Sequence, residues 1–530
     1  MKKYIRKNLL VVMVFLLVLL IENSASILVQ FLKGDLLNLA LDGDVSETLY
    51  KAMLLLGAIL IETMFMYFEF ISTNKFNYLC TKDLKEDVFK ATLNKEYSDF
   101  NKNSIGEYIA KFTNEIKTIN DAYFNSITLL VMLIIKILFV SCALICLNLK
   151  LAIVTLILLT MPLYIPKLAE RKLKKSQNNF LDTMEIFLEK LNDFFQGFEI
   201  IKNFSIENKI MIKFKIFNDN AMKASYINDN THSLIRIISA CMSYFSYFII
   251  VAFSAYLVLV GEFNAGQFFI AVNMIDQLSY PIISISGCVR SIISVKDLND
   301  KITNYCKEEK IEVKDADVLT TFQNKIEFKN ICFSYVKDKP VLNHISMVFE
   351  KDKKYLIKGR SGFGKTTLVN LLLKYYRPTD GEIVIDDMSI EKINNIYDIV
   401  SVVRQDNFLF KDTLRNNLTL FEDIDDDRLF SILDSVNLHD FANKEALDMI
   451  IGSGGVSISG GEAKRISIAR ALLKGKDILI LDEPLANLDK DTTEILENEI
   501  LSLEKYTVIM ISHVISKDAE AGFDGVYNFS

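Results

Sequence analysis

Two stretches of this chain carry residues whose types and spacing suit phosphate chemistry. Gly359-Arg360-Ser361-Gly362-Phe363-Gly364-Lys365-Thr366 matches the pattern G-x-x-x-x-G-K-[ST], directly after an apolar strand and before the apolar helical run 368–376. Glycines let backbone N–H groups close round phosphate oxygens, Lys365 brings a point charge to the β and γ groups, and Thr366 offers a hydroxyl to Mg²⁺. The second stretch centres on an apolar strand, 478–481, that ends in Asp482 and Glu483. A buried strand delivers such acids at its carboxyl end, where Asp482 can reach a nucleotide-bound Mg²⁺ and Glu483 a water to orient or deprotonate. Upstream, Ser459-Gly460-Gly461 opens the helical run 462–473, and a helix start of that kind is an anion site built from free N–H groups. One fold can hardly aim both anion sites at the same phosphate, so the pattern calls for a second copy.

These motifs resemble those of the ATP-binding cassette family. Its signature, usually LSGGQ, stands here as Ile458-Ser459-Gly460-Gly461-Glu462. The resemblance implies that Gly359, Ser361, Gly362, Gly364, Lys365, Thr366 and Thr367 hold the phosphates of ATP, and that Tyr335 stacks on its adenine. It implies that Ser459, Gly460 and Gly461 close on the γ-phosphate of an ATP held by another subunit. Metal contacts fall to Thr366, Gln405 and Asp482; Glu483, His513 and Gln405 carry hydrolysis; Asp489 lies in the loop through which two ATPase domains sense each other. Two departures bear on this. Glu462 places a carboxylate beside the signature, and Ser453 stands where many relatives have a glutamate that meets the membrane domain.

Stepping outward from the site, the chain of 530 residues is too long for one ordinary core. Hydrophobic residues make up 51% and mean hydropathy is +0.24, which points to a membrane protein, whereas 24% charged residues suit a soluble one, so the two halves must differ. A net charge of −7 argues against a nucleic-acid partner. Apolar runs at 9–32, 53–71, 127–147, 151–166, 237–261 and 268–293 predict an α-helical six-span membrane domain. Basic clusters at 2–7 and 167–175 place both termini and the ATPase domain in the cytoplasm. The polar stretches 72–121 and 167–233 read as helices continuing out of the bilayer. By the resemblance they carry coupling helices, expected near 97–106 and 204–214.

The expected organisation is therefore a transmembrane domain over 1–300, a linker over 301–324 and an α/β P-loop ATPase domain with a helical subdomain over 325–530. Function follows as ATP-driven export of an amphipathic or hydrophobic cargo (peptide, lipid or drug) by a dimeric half-transporter in the bacterial plasma membrane. An importer on the same fold, or a membrane ATPase used in sensing or assembly, would carry the same motifs. The partner subunit is an identical chain or a related one. Inside the apolar runs stand Glu22, Glu62, Lys136 and Asp276, and charges at bilayer depth need a partner or a wet cavity. Lys136 is expected to pair with one carboxylate and leave Asp276 to meet cargo.

Overall fold

A computed structural model describes residues 1–307, 318–319, 321–336, 339–360, 362–452, 458–486, 488, 490–513 and 515–529, with the side chains of 163 and 166 left aside. Ser361, Ser453 and Asp489 lie outside the described residues. The chain divides into two compact units: Met1–Leu93 with Ser104–Glu308, and Asn94–Asn103 with Glu309–Ser530.

The first unit is wholly helical, as long apolar runs must be where no water can satisfy the backbone. Its main helices are α1 (Leu9–Asp42), α2 (Val45–Leu93), α3 (Asn125–Leu147), α4 (Leu149–Thr160), α5 (Glu170–Gln196), α6 (Glu207–Leu259) and α7 (Ala265–Ser294). Among the described residues, five helical runs are long and apolar enough to cross a membrane: Leu9–Asp42, Val45–Leu93, Ile105–Leu147, Glu207–Leu259 and Ala265–Tyr305. The expected span at 151–166 is divided. α4 has 12 residues, followed by a 3-10 turn at Met161–Leu163 with Pro162 in it, and then Tyr164–Leu168. Proline has no N–H to give and disrupts the helix around it, so the α-helix expected over the whole run stops at Thr160.

Helices α1 and α7 meet backbone to backbone. A Cβ on Gly266 would sit 2.3 Å from the Gly34 carbonyl oxygen, and Asn38 Oδ1 accepts from the Gly266 N–H at 2.8 Å. Only a residue without a side chain fits there. Cys142 and Cys146 share a face of α3 and are exposed. Lys136, also in α3, makes no ion pair among the described residues, so the pairing expected of it does not form, and Asp276 is exposed on α7. The segment 301–305, assigned from its charge to the linker, instead ends the helix Lys296–Tyr305, whose Ile302 is fully buried. Its few apolar residues were enough to seat it against Val88 and Ile116.

The second unit is an α/β domain. Its five-stranded sheet runs in the order β8 (Gly525–Phe529), β3 (Lys354–Gly359), β7 (Thr507–Ile511), β6 (Ile478–Asp482), β5 (Val400–Val403), and every pairing is parallel. Each residue of β6 and β7 is buried, as a strand covered on both faces requires. Each fully buried isoleucine, such as Ile478 or Ile480, contributes about 2 kcal/mol. A second, antiparallel sheet joins β2 (Leu342–Glu350), β1 (Lys325–Phe333) and β4 (Asp380–Ile385), with Met388–Ser389 at its edge. A helical subdomain, Leu414–Thr419, Asp426–Ser435 and α9 (Gly460–Lys474), packs through Leu414, Leu418, Leu429, Leu433 and Ile466. Helix α8 (Lys365–Leu372) is the next element after β3, reached through the glycine-rich loop that Gly364 ends.

Candidate functional site

The carboxyl ends of β3, β6 and β7 lie side by side, and each hands the chain to a functional turn. After β3 the phosphate loop closes tightly. A Cβ on Gly359 would lie 2.4 Å from the Phe529 carbonyl oxygen. Gly364 has φ +88°, and a Cβ there would lie 2.6 Å from Leu342 Cδ2, so both its backbone and its surroundings demand glycine. Lys365 is 5% exposed. Its Nζ donates to the carbonyl oxygens of Gly359 at 2.7 Å and Arg360 at 2.8 Å, which folds the ammonium back into its own loop. Burial pulls its pKa down, while Glu483 and Asp482 push it up.

At the end of β6, Asp482 is 3% exposed. Burial raises its pKa; the Arg404 guanidinium, 4.0 Å away, and a hydrogen bond from the Thr366 hydroxyl oppose that rise. Glu483 takes φ +52° and its N–H donates to the Ile511 carbonyl at 2.8 Å. A non-glycine residue in that region is strained, and the turn it makes swings the carboxylate clear of the strand direction. Glu483 Oε2 accepts from Gln405 Nε2 at 2.9 Å, and Oε1 lies 3.4 Å from His513 Nε2. The same Nε2 is 2.9 Å from Lys365 Nζ. It can accept from the ammonium or donate to the carboxylate but not both, so the imidazole can report which neighbour is engaged.

Gln405, Glu483, His513 and Lys365 thus form one bonded set, with Asp482 and Thr366 joined beside it. Tyr335 is 49% exposed, its hydroxyl 3.2 Å from Thr367 Oγ1 and its ring edge-on to Phe333 and Tyr376. Gly362 has φ +88° and open space around it. The signature stands apart. Ser459 caps α9: its Oγ accepts from the Glu462 N–H at 3.2 Å, and Glu462 Oε2 accepts from the Ser459 N–H at 2.7 Å. Gly460 has nothing near its Cβ position, whereas Gly461 faces Leu488. Among the described residues no hydrogen bond joins Ser459 to Lys365, Thr366, Asp482, Glu483 or His513.

Sequence reading missed three residues. Arg404 donates to Asn370 Oδ1 at 2.8 Å and lies 5.1 Å over the Tyr375 ring as well as beside Asp482. Lys464 is 4% exposed and donates to the Gln405 carbonyl at 3.3 Å, its pKa pulled down by burial. Tyr375 stacks on Tyr97 with centroids 3.7 Å apart and planes 17° from parallel. The signal for Arg404 was its place next to Gln405; that for Lys464 was its place one turn into α9.

Family models decide what this architecture is. The ABC transporter transmembrane region matches residues 12–282, and the ABC transporter model matches 342–486. The chain belongs to the ABC transporter family. It is an exporter-type half-transporter, an integral membrane protein with one membrane region and one nucleotide-binding ATPase domain. This half-transporter is 27% identical over 492 residues to the multidrug resistance-like ATP-binding protein MdlB of Buchnera aphidicola, covering 87% of this chain and 80% of that one. Similarity to an ATP-dependent lipid A-core flippase of Syntrophus aciditrophicus is 28% over 474 residues, covering 85% and 76%. In fold it matches a bacterial Atm1-family ABC exporter solved with ATP bound, at TM-score 0.79 and 20% identity, over 99% of this chain and 94% of that one.

Two of the half-transporter's expected features take a different form. The stretch 97–106, where the first coupling helix is expected, holds the single turn Tyr97–Phe100, because Ser104 and Glu107 form a capping box that starts the next helix. Most of the second stretch, 204–214, falls inside α6; the short helix before it is Phe198–Asn203, with Gly197 ending α5 and Ser205, at φ +50°, turning the chain into α6. The apolar spacing of 204–214 belongs to the long helix instead. Phe198, Ile200 and Phe204 are exposed.

Proposed function

We propose that this half-transporter exports an amphipathic or hydrophobic cargo, working as a dimer in which each ATPase domain holds one ATP and supplies Ser459, Gly460 and Gly461 to the other's. The observation that carries the coupling of hydrolysis to the membrane helices is the seat of Tyr97. This residue, from the intracellular stretch between two membrane helices, belongs to the same compact unit as the ATPase domain. It stacks on Tyr375, which holds Arg404 next to Gln405 and Asp482. The multidrug and lipid A-core names of the similar proteins support an amphipathic cargo.

In this reading Lys365 leaves its loop carbonyls for the β and γ phosphates, with Gly359, Ser361, Gly362, Gly364 and Thr367 lining them and Tyr335 against the adenine. Glu483, held by Gln405 and watched by His513, orients or deprotonates the attacking water. Thr366, Asp482 and Gln405 offer the hard oxygen donors that Mg²⁺ takes, and Asp482 already bonds to Thr366. Bound there, Mg²⁺ would neutralise phosphate charge. Asp489 would lie between the two ATPase domains. Termini and ATPase domain are cytoplasmic by the basic clusters at 2–7 and 167–175. Exposed Phe198, Ile200 and Phe204 fit a surface covered by a second chain, identical or related.

Uptake into inverted membrane vesicles tests the export reading: ATP-dependent accumulation of an amphipathic dye supports it, and loss of preloaded dye on adding ATP would indicate import. No movement of any amphipath, with ATPase activity unaffected by all of them, would leave the sensing or assembly role. Within it, Tyr97→Ala removes a stacked pair of about 1 kcal/mol. Basal ATPase activity is expected to persist while cargo stimulation falls roughly fivefold, and Tyr97→Phe should restore it. Stimulation unchanged in Tyr97→Ala would remove the coupling role.

A further inference from the structure

A buried acid of the ATPase unit stands outside the hydrolysis set. Glu497 is 4% exposed and belongs to α10 (Lys490–Ser502), the next helix in the chain after β6. Its neighbours Leu496 and Ile500 are buried in the same core as Leu481 of β6 and Met510 of β7. An apolar side chain suits such a place better than a carboxylate, unless the carboxylate has donors of its own. Glu497 has two, and both come from Ser516: the N–H, 3.0 Å from Oε1, and the hydroxyl, 2.7 Å from Oε2. Among the described residues no basic side chain pairs with it. Ser516 lies three residues beyond His513.

A third partner fixes the chemistry of this pair. Ser516 Oγ accepts from the Ala519 N–H at 3.1 Å as it caps the turn Lys517–Glu520, which leaves its single hydrogen for Glu497. Glu497 must then accept at both oxygens, as a carboxylate does and an amide cannot. At the other end of the loop the Ser512 N–H donates to the Ile357 carbonyl at 3.3 Å. His513 therefore sits in a short bridge, with Ser512 tied to β3 on one side and Ser516 held by α10 on the other. The imidazole needs that definition, since its Nε2 lies 2.9 Å from Lys365 Nζ and 3.4 Å from Glu483 Oε1. A shift of about 1 Å in a reacting geometry can cost roughly a hundredfold in rate. With its side chain 35% exposed, His513 gains little of the definition from packing.

We propose that Glu497 is a positioning residue for His513. By holding Ser516 through two charge-assisted hydrogen bonds it fixes the far end of the histidine loop, and with it the reach of Nε2 between Lys365 and Glu483. It acts through the loop alone: among the described residues Glu497 makes no bond to Lys365, Glu483 or His513. The proposal rests on the reading of His513 as a member of the hydrolysis set.

Single-turnover hydrolysis of radiolabelled ATP resolves slow rates, with full-length protein in phosphatidylcholine nanodiscs, one ATP per site and both well above the dissociation constant. Glu497→Ala is expected to lower that rate at least about tenfold, while affinity for a fluorescent ATP analogue changes by less than about twofold. Glu497→Gln, whose amide can accept from the Ser516 N–H and donate to the hydroxyl oxygen, should recover to within about threefold of the wild type. In a His513→Ala background the same Glu497→Ala change should cost less than about twofold, because the group it positions is gone. An equal loss in both backgrounds is the mark of general destabilisation and overturns the proposal, as does a wild-type rate in Glu497→Ala. Should the alanine protein fail to fold, Ser516→Ala takes its place, since it removes one donor and leaves the carboxylate bonded to the other. It is expected to lose about threefold with His513 present and nothing without it, and an equal loss in both again overturns the proposal. A wild-type rate in Glu483→Gln would bring down the hydrolysis reading itself, whereas a Glu483→Gln loss beside an unaffected Glu497→Ala removes the positioning role alone.

Discussion

Glu483→Gln is expected to keep ATP bound and lose at least about a hundredfold of its hydrolysis rate, the usual contribution of a positioned general base. The substitution preserves shape and the hydrogen bond to Gln405 can be remade through either amide atom, so folding should be intact. What disappears is the anion that Glu483 presents beside His513 and Lys365. ATP-loaded protein should then accumulate as a closed dimer, visible as a shift in mass by native mass spectrometry or light scattering. Turnover within a few-fold of the wild type would remove Glu483 from the chemistry and leave Asp482 or Gln405 to be examined.

The second large effect concerns the separation of Ser459 from Lys365. Ser459→Arg introduces a bulky cation and removes the Oγ that caps α9; Lys365→Ala removes the phosphate-binding ammonium. Each variant alone places a lesion in both sites of a dimer and should reduce activity by roughly a hundredfold or more. A mixed dimer, isolated through two different affinity tags, has one site with both lesions and one with none. Partial activity well above either parent is the expected result. Ser459 acting on the ATP of its own chain predicts no such recovery. Lost caps cost about 1 kcal/mol, so thermal unfolding of the Ser459→Arg protein is the control for simple destabilisation.

The phosphate loop, the acids after β6 and the histidine after β7 were legible because parallel strands write themselves as short unbroken apolar runs. Whatever follows such a run sits at the sheet's carboxyl edge. Order along the chain therefore gave place in the site for Lys365, Asp482, Glu483 and His513. Arg404, Tyr375 and Tyr97 were not legible together, because their stack joins segments far apart in sequence and no local pattern announces a ring that meets another ring. Glu462 illustrates what a motif leaves unsaid. Read as an extra charge beside the signature, it also accepts from the Ser459 N–H, an interaction that depends on where α9 begins.

In the membrane unit, hydropathy found the helices but not their ends. The stretch 204–214 falls mostly inside α6, and an amphipathic spacing does not say which of two successive helices owns it; the turn at Ser205 decides that. Likewise Pro162 divides a run whose hydropathy is continuous. Glu69 of α2, 8% exposed, was overlooked because it stands near the end of an apolar stretch, where a charge is ordinarily a solvated boundary. Its burial follows from helices packing beyond that boundary, which one segment's composition cannot express.

The ten residues Asn94–Asn103 cluster with the ATPase unit although more than two hundred residues of membrane domain separate them from it along the chain. The compact unit and the contiguous cassette are therefore not the same stretch of chain here. A cassette transplanted from another transporter at a cut near residue 325 would replace Tyr375 and leave behind a Tyr97 matched to the surface that was removed. Chimaeras of this chain should be drawn with two crossovers, one flanking the intracellular turn and one before the cassette, and natural recombinants that survived ought to show the same pair of breakpoints.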